Sequence, residues 1–225
     1  MKKLSILALA LSAVLISCNN KTGDKASTAE EQEVAAQTGE TFNVDTDNSA
    51  VKWTGYHKGG LNPRFGVVKT TGTVSVENGV VTGGEFNLDI NSLATDEASV
   101  DPATSGGKTA DDLTGHLKSA DFFDVEKYPT ASFHITGVAA FDAANQESVV
   151  EGATNTISGN LTIKDKTVNV TFPAKVVVAE TGVSIESKFT INRQDWGLTY
   201  GTEGDAKDWM ISQEIDVELN IHAKK

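Results

Sequence analysis

From Phe42 to the carboxyl terminus the apolar residues recur at every second position, and no other feature limits the fold so tightly. A spacing of two places alternate side chains on opposite faces of a strand, whereas a helix needs apolar positions three and four apart. Val74 and Val76 begin the pattern. Phe86, Leu88 and Ile90 continue it, then Phe133 and Ile135, then Ile157, Leu161 and Ile163 with Gly159 in phase. It resumes in Val168 to Val178, in Val183, Ile185, Phe189 and Ile191, and in Ile215, Val217, Leu219 and Ile221. The other parity is mostly Thr, Ser, Asn, Asp, Glu and Lys. Strands that are apolar on one face and polar on the other form antiparallel sheets around one core. Glu77-Asn78-Gly79 and Glu180-Thr181-Gly182 offer hairpin turns, because Gly tolerates positive φ and Asn nearly does. One stretch departs from the pattern: Leu113, His116, Leu117 and Ala120 lie at helical spacing, with Thr109 or Ala110 as the start. The expected fold is all-β, a single extended antiparallel β-barrel of about eight strands with a short helix around 111–120. A two-sheet sandwich would give the same alternation.

The amino terminus has a different grammar. Met1-Lys2-Lys3 precedes an apolar run from Leu4 to Ile16 and then Ser17-Cys18-Asn19-Asn20, the three-part order of a secretory signal. The run is too short to cross a bilayer, which takes about 20 residues. Leu15-Ile16-Ser17-Cys18 resembles a bacterial lipobox, and Cys18 is the only cysteine in the chain. The reading is therefore a signal peptide over 1–17, lipidation at Cys18, and a membrane anchor that holds the protein in the cell envelope. Asn19 is not the aspartate of inner-membrane retention, which favours the outer membrane facing the periplasm. Residues 18–40 hold one valine and no other large apolar residue, so they are expected to form a disordered tether, with a short helix near 30–37 as the alternative. Residues 41–225, about 185 in all, suffice for one domain.

Charge and motif searches exclude several classes. Cleavage of the signal removes Lys2 and Lys3 and takes the net charge from −12 to −14. No basic stripe is left to meet phosphates, so nucleic acid is not an expected partner. The four histidines, His57, His116, His134 and His222, lack metal-ligand spacing, and Cys18 is committed elsewhere. Gly107-Lys108-Thr109 lacks the first glycine of a phosphate loop, and Asp45 and Asp47 lack the glycine and distal glutamate of a calcium loop. No catalytic residue, metal or cofactor is expected. His116 reads as a hydrogen-bonded packing residue of the helix.

The run from His116 through Asp121-Phe122-Phe123-Asp124 and Lys127-Tyr128-Pro129-Thr130-Ala131 to Phe133 resembles the signature of the YceI-like family. Gly159-Asn160-Leu161-Thr162-Ile163-Lys164, Ile191-Asn192-Arg193-Gln194-Asp195-Trp196-Gly197 and the opening Val44-Asp45 through Val51-Lys52-Trp53 agree in order, so the resemblance spans 42–222. It departs at Asp165, where the family carries glycine, and in an enlarged loop at 101–108. The resemblance implies a lipocalin-like barrel whose interior holds a polyprenyl chain, a quinone tail or another long-chain lipid or amide. The candidate lining is Trp53, Phe86, Leu88, Ile90, Phe133, Ile135, Leu161, Ile163, Phe189 and Ile191. Head-group candidates are His57, Lys58 and Arg64 near a barrel mouth, with Arg193 and Asp195 at a strand end, where an ion pair or turn cap is the competing role. The residues alone leave open whether the barrel is hollow or filled by its own side chains. A filled barrel would make this an envelope structural or interaction protein, and an esterase or isomerase acting on bound lipid is a third reading. Oligomeric state is also open, a homodimer being one option.

Overall fold

The computed structural model describes residues 22–202 and 211–225. The expected signal peptide and the expected lipidation site Cys18 fall outside the described residues. In chain order the strands are β1 (Asp24–Lys25), β2 (Ser27–Ala29), β3 (Glu40–Val44), β4 (Ala50–His57), β5 (Leu61–Glu77), β6 (Val80–Thr95), β7 (Thr130–Ala140), β8 (Asn155–Ile163), β9 (Lys166–Ala179), β10 (Gly182–Asn192) and β11 (Ile211–Lys224). One helix, α1 (Ala110–Lys118), lies between β6 and β7.

Strands β4 to β11 each pair antiparallel with the next, and β11 returns to β4, closing an eight-stranded barrel. Closure removes the free edges that an open sandwich would expose. Strand β3 extends the position of β4 downward, pairing with both β11 and β5. The β5–β6 turn puts Asn78 at φ 52° and Gly79 at φ 79°, the left-handed pair that a two-residue hairpin demands. Gly182 serves differently from expectation. It opens β10 without positive φ, and a Cβ there would stand 2.8 Å from the Ala223 carbonyl oxygen. Helix α1 begins at a capping box, in which Thr109 accepts from the Asp112 amide and Asp112 accepts from the Thr109 amide.

The wall has one seam. Strands β9 and β10 pair only between Lys175–Ala179 and Gly182–Glu186, then part. Pro173 explains the place: it has no N–H to donate, and proline in a sheet is confined to edges and bulges. The Ser187 hydroxyl donates to the Pro173 carbonyl at 2.6 Å across the parting strands. Into the gap comes the amino-terminal segment, with β1 parallel to Phe189–Thr190 and β2 antiparallel to Asn169–Thr171. Ala26 between them is part of the core. The buried Asp24 carboxylate accepts from the Ser148 hydroxyl at 2.5 Å and from the Val149 amide at 3.1 Å.

The expected tether is therefore corrected over its described part, 22–40, and so is its helical alternative. After β2 the chain crosses the outside of the barrel. The Gln32 backbone exchanges two hydrogen bonds with the Asn160 side chain, at 3.0 and 2.7 Å, and the Ala35 amide donates to the Ile135 carbonyl at 3.0 Å. Low hydrophobicity did not leave this segment unstructured, because its order comes from backbone groups that complete a ladder interrupted elsewhere.

Just inside an open cleft between the β5–β6 and β9–β10 turns, the lower end of the barrel is filled by side chains. Phe42, Val74, Val76, Ala174, Val183 and Ala223 interlock there, all buried. The upper end, beneath α1, is not.

Candidate functional site

Above that plug the barrel encloses a cavity of about 340 Å³ walled almost wholly by apolar side chains. All ten residues expected on the lining face it. Trp53, Leu88, Phe133, Leu161 and Ile163 point inward yet keep accessible surface, as inward-facing residues do in a hollow barrel. A row of rings crosses the chamber wall: Phe86 and Phe133 have centroids 6.2 Å apart, Phe133 and Phe172 5.9 Å, and Phe172 stacks on Phe189 at 4.1 Å. Gly159 makes room for this row, since a Cβ there would lie 2.2 Å from the Phe133 ring.

The mouth is roofed by Leu113 and Leu117 of α1, by Phe122 and Phe123, and by Leu198 and Ile211. These roof residues, along with Val217 and Leu219 of β11, were absent from the expected lining. The helical spacing of Leu113 and Leu117 was the available signal, for an apolar stripe on a lone helix must cover something. The roof is fastened by Thr114, whose hydroxyl donates to Thr95 Oγ1 and accepts from the Thr95 amide, both at 2.9 Å, and by Lys118 Nζ, which donates to the Asn91 carbonyl at 2.7 Å. His116 packs edge-on to Phe122 and Tyr200, with Nε2 3.0 Å from Asp121.

Of the head-group candidates, His57, Arg64 and Arg193 reach the cavity, while Lys58 and Asp195 do not line it. Arg64 donates to the Ser99 carbonyl at 2.5 Å. Arg193 makes no ion pair with Asp195, which corrects that reading. Its buried guanidinium donates instead to the carbonyls of Leu198, of Ser212 at 2.9 Å and of Ile211 at 3.2 Å, stitching the strand end to the roof. Burial pushes its pKa below the ordinary arginine value. Asn192, not Asp195, caps the turn, accepting from the Gln194 amide.

Two indoles mark the chamber differently. Trp196 Nε1 donates to the Leu161 carbonyl at 2.8 Å. Among the described residues Trp53 Nε1 has no acceptor although it is buried, and its ring lines the cavity. Tyr56, which borders the cavity, and Thr190 both donate to the buried Asp216 carboxylate, at 2.8 and 2.6 Å. Desolvation, aided by that carboxylate, pushes the Tyr56 phenol up to about 12. Among the described residues no cluster of His, Cys, Asp or Glu is placed to hold a metal, and no helix is long and apolar enough to cross a membrane.

These features define a class: a closed antiparallel barrel, plugged below and hollow and apolar above. The profile of the YceI-like domain matches residues 42–223, and the chain belongs to that family. A UPF0312 protein of Pseudomonas aeruginosa (strain LESB58) is 29% identical over 145 residues, 61% of this chain and 68% of its own. Among solved structures, BcnA of Burkholderia cenocepacia superposes with a TM-score of 0.58 at 19% identity, over 80% of this chain and 99% of its own. A polyisoprenoid binding domain from Saccharophagus degradans gives 0.54 at 15% identity, over 85% and 99%.

Proposed function

We propose that this protein is a non-catalytic binder of one long apolar lipid, a polyisoprenoid, an isoprenoid quinone or a similar amphiphile, in the bacterial envelope. The hollow apolar chamber is the observation that carries this reading. A barrel of this size can fill itself with side chains, and the lower half does; the upper half leaves a volume within the usual range of small-molecule sites, about 300–1,000 Å³. That volume disfavours the side-chain-filled alternative. Among the described residues the chamber lining includes no carboxylate. A ligand burying roughly 400 Å² of apolar surface gains about 10 kcal/mol gross at ~25 cal/mol/Å², of which association removes a large part. The lipid's polar end would meet His57 and Arg64 at the rim, or the Trp53 indole inside. The fold shared with the Saccharophagus degradans polyisoprenoid binding domain supports the ligand class. Cys18 would carry the anchor, with the outer membrane facing the periplasm as the proposed location.

Organic extraction of the protein purified from membranes, followed by mass spectrometry, tests this directly. A near-stoichiometric lipid of isoprenoid or other long-chain type is the expected result. An empty extract, with no uptake of added polyprenol or quinone, overturns it.

A further inference from the structure

The gap between β9 and β10 has a definite frame. Its lower sill is the last paired couple, Glu186 and Lys175, and its upper lintel is Trp196, tied to the Leu161 carbonyl. Residues 24–29 fill it, and the strand residues that flank them, Phe189 and Val170, line the chamber. The filler is thus a piece of barrel wall beside the chamber, held by two ladder residues on one side, three on the other and the Asp24 bonds to Ser148 and Val149. Long barrel strands are much more firmly held: β10 and β11 pair over eleven residues. Withdrawing one strand from between two others leaves two inter-strand spacings, roughly 9.6 Å, wider than a single hydrocarbon chain.

The upstream chain is short. From Cys18 to Asp24 an extended backbone reaches at most about 20 Å. A tether over 18–40 would have let the barrel stand far from the bilayer, but the docked segment brings the gap to the membrane surface once Cys18 is anchored. We infer that the gap filled by residues 24–29 is a lateral portal, through which lipid passes between the bilayer and the chamber when the amino-terminal segment lifts. The inference rests on the lipid-binding reading and on the proposed anchor at Cys18. It differs from passage at the rim, which would require α1 and its Thr114 and Lys118 bonds to move.

Ser27 and Thr171 are partners across the β2–β9 ladder, close enough to be joined by a disulfide. The full chain carrying Ser27→Cys and Thr171→Cys, with Cys18 kept to hold it on the vesicle, can be locked by oxidation and released by dithiothreitol. The readout is uptake of a geranylgeranyl naphthoquinone from phosphatidylcholine vesicles, followed by quenching of tryptophan fluorescence. The portal requires uptake slowed more than about tenfold when oxidised and restored on reduction, with the final amount bound unchanged; that factor corresponds to ~1.4 kcal/mol added to opening. Equal rates in both states overturn the portal and leave lipid binding standing. No uptake in either state overturns lipid binding, and the portal with it.

Discussion

Trp53 is the residue at which the chamber departs from a plain hydrocarbon interior. A buried donor without an acceptor costs about 1–3 kcal/mol, and phenylalanine would fill much of the space without that cost. Trp53→Phe is expected to weaken binding of a long-chain methyl ketone about fivefold and to leave binding of the matching alkane unchanged, measured by fluorescence titration. An equal loss for both ligands would mean that the indole acts by shape alone. Gly159 acts by absence: Gly159→Ala drives the Phe133 ring out of its seat, with an expected loss of about 1–3 kcal/mol in urea unfolding and a smaller ligand capacity. Asp45 sits at the turn between β3 and β4. The Asn48 side chain, and then Lys224, hold its carboxyl down to about 2. A depressed folded-state pKa contributes stability above the unfolded value near 3.9, and that contribution is lost as pH falls towards 2. The stability gap between the protein and Asp45→Asn should therefore be open at neutral pH and close as pH falls through that window. A gap independent of pH would refute the assignment.

At the scale of elements, the amino-terminal segment and β9 explain each other. Pro173 makes β9 locally an edge, and an edge left open inside a barrel wall would expose unpaired backbone and the chamber together. The segment satisfies both needs with little apolar surface of its own, so its stability depends on a few anchors, Asp24 first among them. Asp24→Ala removes the acceptor for Ser148 and Val149. Hydrogen exchange should then show faster exchange at the Ala26 and Ala35 amides, while amides in the β10–β11 ladder keep their protection. Uniform acceleration through the barrel would instead make the segment part of one global unfolding unit. Helix α1 is the complementary element, a lid fixed to the end of β6 by side-chain bonds and apolar only where it faces the mouth.

For the whole molecule, a solid lower half and a hollow upper half divide the work. The plug supplies the close packing that keeps the barrel closed, and the chamber leaves inner-face carbon atoms without neighbours, which the proposed ligand would supply. Binding to the folded state alone at 100 times Kd adds ~2.7 kcal/mol. In a domain of this size that is a rise in Tm of roughly 5–11 °C. Delipidated and reloaded protein should differ by that amount in calorimetry, and identical midpoints would be incompatible with a ligand filling the chamber.

Period-two alternation determined that the chain is built of two-faced antiparallel strands and which residues turn inward, and turn chemistry determined where Asn78-Gly79 reverses the chain, because these are properties of the backbone and its nearest neighbours. All ten expected lining residues face the cavity for that reason. Alternation reports the side a residue faces, not how far away the opposite wall stands, so hollow and filled barrels read alike. Only the tertiary structure decided that the chamber is hollow and that Leu113 and Leu117 roof it. It also decided that Arg193 spends its guanidinium on three carbonyls and that a polar amino-terminal segment completes the wall at Pro173. Each of these depends on groups distant in sequence meeting in space, where a hydrogen bond or a void is a relation between elements and leaves no periodic trace in any one of them.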